Sequence, residues 1–240
     1  MIWLASSLAV GVVVRPLTPD SSEAASESES LASLTGSLGQ GITLAALGGY
    51  RNVAANFVWI SMYGDWQYRR KSEVLEKMRL AVSLNPDSLY FWIDGSRIIA
   101  NDMPVWQVGD DFMESLFREG ESVGVRKEFG EKALSFLDDA PERIAVQIPL
   151  LVEKGAICWR RLEDLDRALV YFERAVVQPE VPYYVCRVYA ELLYRNGNVR
   201  EAWEYLREHY ETLPDNELSA MKPVVFSRIQ ELEKELSAAD

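Results

Sequence analysis

Residues 164–214, DLDRALVYFERAVVQPEVPYYVCRVYAELLYRNGNVREAWEYLREHYETLP, decide the fold. Leu165, Ala168, Leu169, Phe172, Ala175 and Val176 recur three and four apart and so line one helix face. Asp166, Arg167, Glu173 and Arg174 fall on the other side. Val185, Val188, Tyr189, Leu192 and Leu193 repeat the pattern, and Asn196-Gly197-Asn198, tolerant of positive φ, ends that second helix. A third helix turns Ala202, Tyr205, Leu206 and His209 inward. Ala168, Tyr171, Phe172, Ala175 and Pro179 are echoed by Ala202, Tyr205, Leu206, His209 and Pro214, and the step from Ala168 to Ala202 is 34 residues, the period of a stacked helix pair. None of these helices buries its apolar face alone. Small residues at Ala168, Ala175, Ala190 and Ala202 permit close approach between them.

The same punctuation extends toward the N-terminus. Gly48-Gly49 precedes an aromatic helix with Phe57, Trp59, Tyr63, Trp66 and Tyr68. A helix predicted over 72–84 turns Val74, Leu75, Met78, Ala81 and Val82 inward, and Asn85-Pro86-Asp87 stops it, because proline lacks the ladder donor and restricts its predecessor. Ser88 to Asn101 reads as another first helix, ended by Asp102-Met103-Pro104. Its partner is expected late, over Arg126 to Leu137, after an insertion of about 20 residues at 105–123. Beyond Pro214, Leu218, Met221, Val225, Ile229, Leu232 and Leu236 form an apolar stripe opposite Glu231, Glu233, Lys234 and Glu235, as a capping helix requires. Pro223 begins or kinks that helix.

These segments resemble tetratricopeptide repeats. Ala190 matches the small position of a first helix, Gly197 the interhelix turn, Ala202 the small position opening the second helix, and Pro214 the closing proline. His209 departs from that pattern, which prefers a small residue, and the unit from Leu150 to Pro179 fits with a one-residue slip near Gly155-Ala156. The resemblance implies an all-α solenoid of antiparallel helix pairs, protein partners held in its concave groove, and a place in a larger assembly.

Net charge constrains the partners. The 240 residues carry a formal charge of -12, which argues against a general nucleic-acid binder, since phosphate binding needs a basic face. The acidic surface favours a basic or polar partner segment. Arg69-Arg70-Lys71 reads as a solvated helix start. Two cysteines, Cys158 and Cys186, give no disulfide framework and are expected as buried thiols.

The chain divides into an apolar segment over 1–15, a Ser/Glu-rich linker over 16–40, and a helical repeat domain over 41–240. Ile2 to Val14 is too short for a typical span, which needs about 20 residues, and lacks leading positive charge. An export signal, an anchor helix starting upstream and an ordinary apolar helix all fit; the first two place the protein in the cell envelope, membrane-anchored or exported. The linker has Asp20, Glu23, Glu27 and Glu29 and no aromatic residue, a composition that reads as a flexible tether.

Chemistry is sparse. His209 is the single histidine, no Cys/His ligand spacing occurs, and neither a phosphate loop nor a dinucleotide fingerprint is present. Asp110-Asp111 and Asp138-Asp139 read as solvated turns and caps. No catalytic, cofactor or metal residue is expected. Arg51, Asn56, Trp59, Trp66, Trp92, Asp94 and Arg97 combine aromatic platforms with charge on helices expected to pack. They fit a peptide-binding groove with aromatic and arginine anchors, or an aromatic core whose rim charges pair with each other. The reading is a non-enzymatic interaction scaffold. A permanent structural subunit of a membrane-associated complex is the alternative, ahead of an all-α enzyme acting on sugar or lipid.

Overall fold

The computed structural model describes residues 48–108 and 119–239, and all regular structure among them is helical. The segments over 1–15 and 16–40 and most of the 105–123 insertion lie outside these residues. In chain order α1 spans Arg51–Gln67 and α2 Lys71–Leu84. Helix α3, Leu89–Arg97, runs through a π-helical turn, Ile98–Asp102, into α4, Met103–Val108. Then come α5, Glu119–Asp138, the short α6, Glu142–Ala145, and α7, Ile148–Ile157, which ends in a second π-helical turn, Cys158–Leu162. Helices α8, Leu165–Val176, α9, Tyr183–Arg195, and α10, Val199–Thr212, precede a 3-10 turn, Leu218–Ala220, and the last helix α11, Lys222–Ala239.

Helices pack in sequence order. The pairs are α1 with α2, α3 with α5, α7 with α8 and α9 with α10, and α11 closes on α10. Each pair meets the next through α2 on α3, α5 on α7 and α8 on α9, and α3 also touches α7. Short connections between packed neighbours impose antiparallel directions. Three residues join α1 to α2, with Arg69 at φ 56. Between α9 and α10, Gly197 adopts φ 85, and the Asn198 N–H closes on the Leu193 carbonyl at 2.9 Å. An L-residue is costly at such a φ, which is why the Asn-Gly-Asn turn holds glycine there. Helix α8 opens on Asp164, whose carboxylate accepts from the Arg167 N–H at 2.9 Å.

Two boundaries differ from the sequence reading, for one reason each. The helix after Ser88 does not stop at Asp102-Met103-Pro104. Its π-helical turn lets the Met103 N–H reach back five residues to the Ile98 carbonyl, and the helix continues past Pro104 as α4. The partner helix α5 starts at Glu119 rather than Arg126, because the polar stretch before Arg126 continues the helix without supplying an apolar stripe. The second π-helical turn follows Gly155-Ala156 by less than one helical turn. A turn of this kind accommodates one residue more than an α-helical turn.

Ala168, Ala175, Ala190 and Ala202 are buried. Gly155 of α7 admits the ring of Phe172 so closely that a Cβ there would lie 2.6 Å from it. One apolar core joins α1 through α9, and a second groups α9, α10 and α11 around Leu193, Leu206, Leu213, Val225, Ile229 and Leu232. Of the capping stripe, Val225, Ile229 and Leu232 are buried, whereas Leu218 and Met221 lie before the helix and are exposed. Pro223 sits in the first turn of α11. Both cysteines are buried free thiols.

Candidate protein-interaction face

Trp59 and Trp92 are core residues. Trp59 stacks on Phe91 with centroids 4.7 Å apart, and its buried indole N–H has no hydrogen-bond acceptor among the described residues. Trp92 donates to the Pro86 carbonyl at 2.8 Å and leans on Phe136. Trp66 is half-buried; its indole N–H donates to Asp102 Oδ2 at 2.8 Å and its ring meets Trp106 edge-on. Arg51 lies at the first position of α1, 3.5 Å from the Ser83 carbonyl, beside an open cleft of about 580 Å³ with Asn85, Pro86 and Asp87. Asn56 is exposed on α1. The seven residues singled out in the sequence therefore do not converge on one cavity.

Asp94 and Arg97 instead belong to a continuous outer face built from first helices. Tyr63 of α1 donates its hydroxyl to Asp94 Oδ2 of α3 at 2.7 Å and stands 3.2 Å from the Tyr90 hydroxyl. Burial and these two partners together push the Tyr63 phenol well above its ordinary pKa, so it stays a donor. One helical turn along, Arg97 donates from Nε and Nη2 to Glu153 Oε2 of α7 at 3.0 and 2.7 Å. That bond raises the Arg97 pKa further, and Tyr184 of α9 lies within electrostatic reach of the same guanidinium. Tyr63, Tyr90, Asp94, Arg97 and Tyr184 keep solvent access, with Asn56 two turns before Tyr63 on the same side of α1. Tyr63–Asp94 and Arg97–Glu153 thus tie α1, α3 and α7 together along one side.

This face suits a polypeptide. Tyrosines offer rigid apolar area with a hydroxyl at the tip, and Arg97 and Asp94 supply donor and acceptor for a peptide backbone. Of the residues on this side, the sequence reading names Asp94, Arg97 and Asn56. It passed over Tyr90, Tyr184 and Glu153, and counted Tyr63 only as an aromatic member of its helix.

A second concavity, about 360 Å³, lies between α2 and α5. Ile99, Met103, Phe129 and Phe136 floor it, and Lys71, Arg79, Lys132 and Asp139 rim it. Lys132 is held by Glu128 at 2.6 Å and Lys71 by Gln107 at 3.2 Å.

At the C-terminal end His209 packs between Tyr205, with centroids 6.2 Å apart, and Tyr183. Burial, aided by Arg187, holds its imidazole below the ordinary pKa, and its Nε2 has no hydrogen-bond partner among the described residues. Among the described residues no group of His, Cys, Asp and Glu converges to hold a metal, and no helix is long and apolar enough to cross a membrane. Compared with family models, curated proteins and solved structures, the chain matches none.

Proposed function

We propose that this chain is a non-enzymatic interaction scaffold of the tetratricopeptide type, tethered at a membrane by residues 1–15, which grips a protein partner across its first helices. The observation that carries it is the shared face itself. Tyr63–Asp94 and Arg97–Glu153 link α1 to α3 and α3 to α7, so the surface is one preorganised unit and not three separate helix sides. The sequential pairing of helices supports the repeat reading, as do buried alanines at the repeat's small positions and Gly197 at its interhelix turn.

The partner reading is a polar or basic segment. The chain's charge of -12 draws such a segment in, and the tyrosine hydroxyls and Asp94 accept its donors. The test uses the full-length chain in its own cells. Neighbours are captured by chemical crosslinking and compared between the natural protein and a Tyr90→Ala, Tyr184→Ala double variant. The expected result is one recurrent protein neighbour that the double variant loses. An unchanged set of neighbours contradicts the proposal.

A further inference from the structure

The second π-helical turn, Cys158–Leu162, packs against α5. A methyl added to Gly130 of α5 would stand 2.7 Å from Leu162 Cδ2 and 3.1 Å from Arg161 Cβ. Arg126 precedes Gly130 by one helical turn and so shares that face of α5. Just beyond the π-helical turn, Glu163 Oε2 meets Lys127 Nζ at 3.5 Å. The fold thereby brings Arg126 to Arg160 and Arg161, which are distant from it in the sequence.

Among the described residues no acid pairs with this group. Arg161 is half-buried and donates from Nη2 to Asn101 Oδ1 of the first π-helical turn, a neutral acceptor. Arg160 is exposed and lies over the Trp159 ring, 5.0 Å from its centroid. Arg126 is exposed and makes no hydrogen bond or ion pair with a described residue. The carboxylates nearest in the chain have other partners. Asp102 takes the Trp66 indole N–H, Glu128 takes Lys132 and Glu131 takes Arg167. Glu163 takes Lys127, and Asp164 caps α8.

Like charges brought together repel. Burial and the charges of Arg126 and Arg160 hold the Arg161 guanidinium below its ordinary pKa. The chain as a whole carries -12, so positive charge is gathered here against its general balance. An outside anion offsets the repulsion. A carboxylate has two oxygens and one charge, enough for one guanidinium fork. A phosphate monoester has three terminal oxygens and about -1.5 to -2 charges at neutral pH, which suits three.

We propose that Arg126, Arg160 and Arg161 form a binding site for a phosphate monoester group, either free phosphate or the headgroup of a lipid. Asn101 positions Arg161 within it. Occupancy of this site does not depend on what the tyrosine face binds.

The test uses the full-length protein. Thermal melts are compared in inorganic phosphate, acetate and chloride at pH 7.5 and equal ionic strength. Phosphate is expected to raise the midpoint by about 3 °C over chloride, and acetate to leave it unchanged. Arg126→Gln should lose that rise, yet in chloride melt no lower than the natural chain, because one repelling charge has gone. A merely structural arginine would lower the midpoint in every salt. Arg161→Lys keeps the charge and loses the fork, and should weaken phosphate binding about ten-fold by calorimetry. Flotation with phosphatidic acid vesicles, against phosphatidylserine vesicles of equal surface charge, separates the two sources. Preferential recovery on phosphatidic acid that Arg126→Gln abolishes, without an effect of free phosphate, assigns the site to a lipid headgroup. A phosphate effect without such recovery assigns it to soluble phosphate. An equal rise in acetate, a rise that survives in Arg126→Gln, or the absence of both the phosphate effect and the preferential recovery overturns the proposal.

Discussion

Arg97 on α3 and Glu153 on α7 lie 56 residues apart in sequence, yet two N–H groups of one meet a single oxygen of the other at 3.0 and 2.7 Å. The Glu153 side chain is 11% exposed, whereas the Arg97 side chain is 58% exposed. The two ends of the bond are therefore unequal. Arg97→Ala leaves a nearly buried carboxylate without its partner and should cost about 1–2 kcal/mol, discounted from a fully buried pair for solvent screening. Glu153→Gln removes the charge that needs a partner and should cost less. Urea unfolding of both variants checks the order, and an equal or reversed order refutes the asymmetry.

Close approach of α7 to α8 rests on Gly155. An added methyl would lie 2.6 Å from two atoms of the buried Phe172 ring. Gly155→Ala should destabilise by about 1–3 kcal/mol through overpacking. Gly124 of α5 has nothing within 4 Å of the same position, so Gly124→Ala should stabilise by about 0.5–1 kcal/mol. Thermal melts of the two variants should move in opposite directions.

The sole histidine makes stability depend on pH in a defined window. Burial lowers the folded-state pKa of His209 below its unfolded value. The unfolded chain then binds the proton first, so stability is complete above about pH 6.5 and is lost as pH falls from there toward the folded pKa. His209→Gln should flatten that slope. Urea midpoints at pH 7.5 and 5.5, compared between the natural chain and the variant, measure the difference. A variant slope equal to the natural one contradicts the assignment.

Burial pushes the Cys158 thiol up to about 11, and Cys186 is equally enclosed. Neither should react with a thiol reagent at pH 8 in the native protein, and both should react in denaturant. Thiol titration with and without urea reads this directly.

Much of the fold was legible in the sequence because its signals are local. Ala168, Ala190 and Ala202 mark buried faces, Gly197 marks a turn, and Asn85-Pro86 marks a stop, each by a property of the residue itself. The π-helical turns were not legible. Pro104 announces a break under α-helical geometry, and only the longer reach of the Met103 N–H lets the helix pass it. The candidate face was half legible for a related reason. Tyr90, Phe91 and Trp92 are consecutive aromatics, so hydrophobicity does not set the phase of α3, yet one step of the helix separates exposed Tyr90 from buried Phe91. Trp59 and Trp92 carried the strongest sequence signal and went to the core, while the tyrosines beside them kept their hydroxyls at the surface.

The central claim is that a polypeptide lies across the first helices. It is tested most directly by placing a photoreactive amino acid at Tyr90, at Tyr184, or at Val170 of the second helix α8, each in the full-length chain in living cells. The account predicts a covalent adduct to one and the same protein from Tyr90 and Tyr184 and none from Val170. Adducts from Val170 alone, or from none of the three positions, would contradict it.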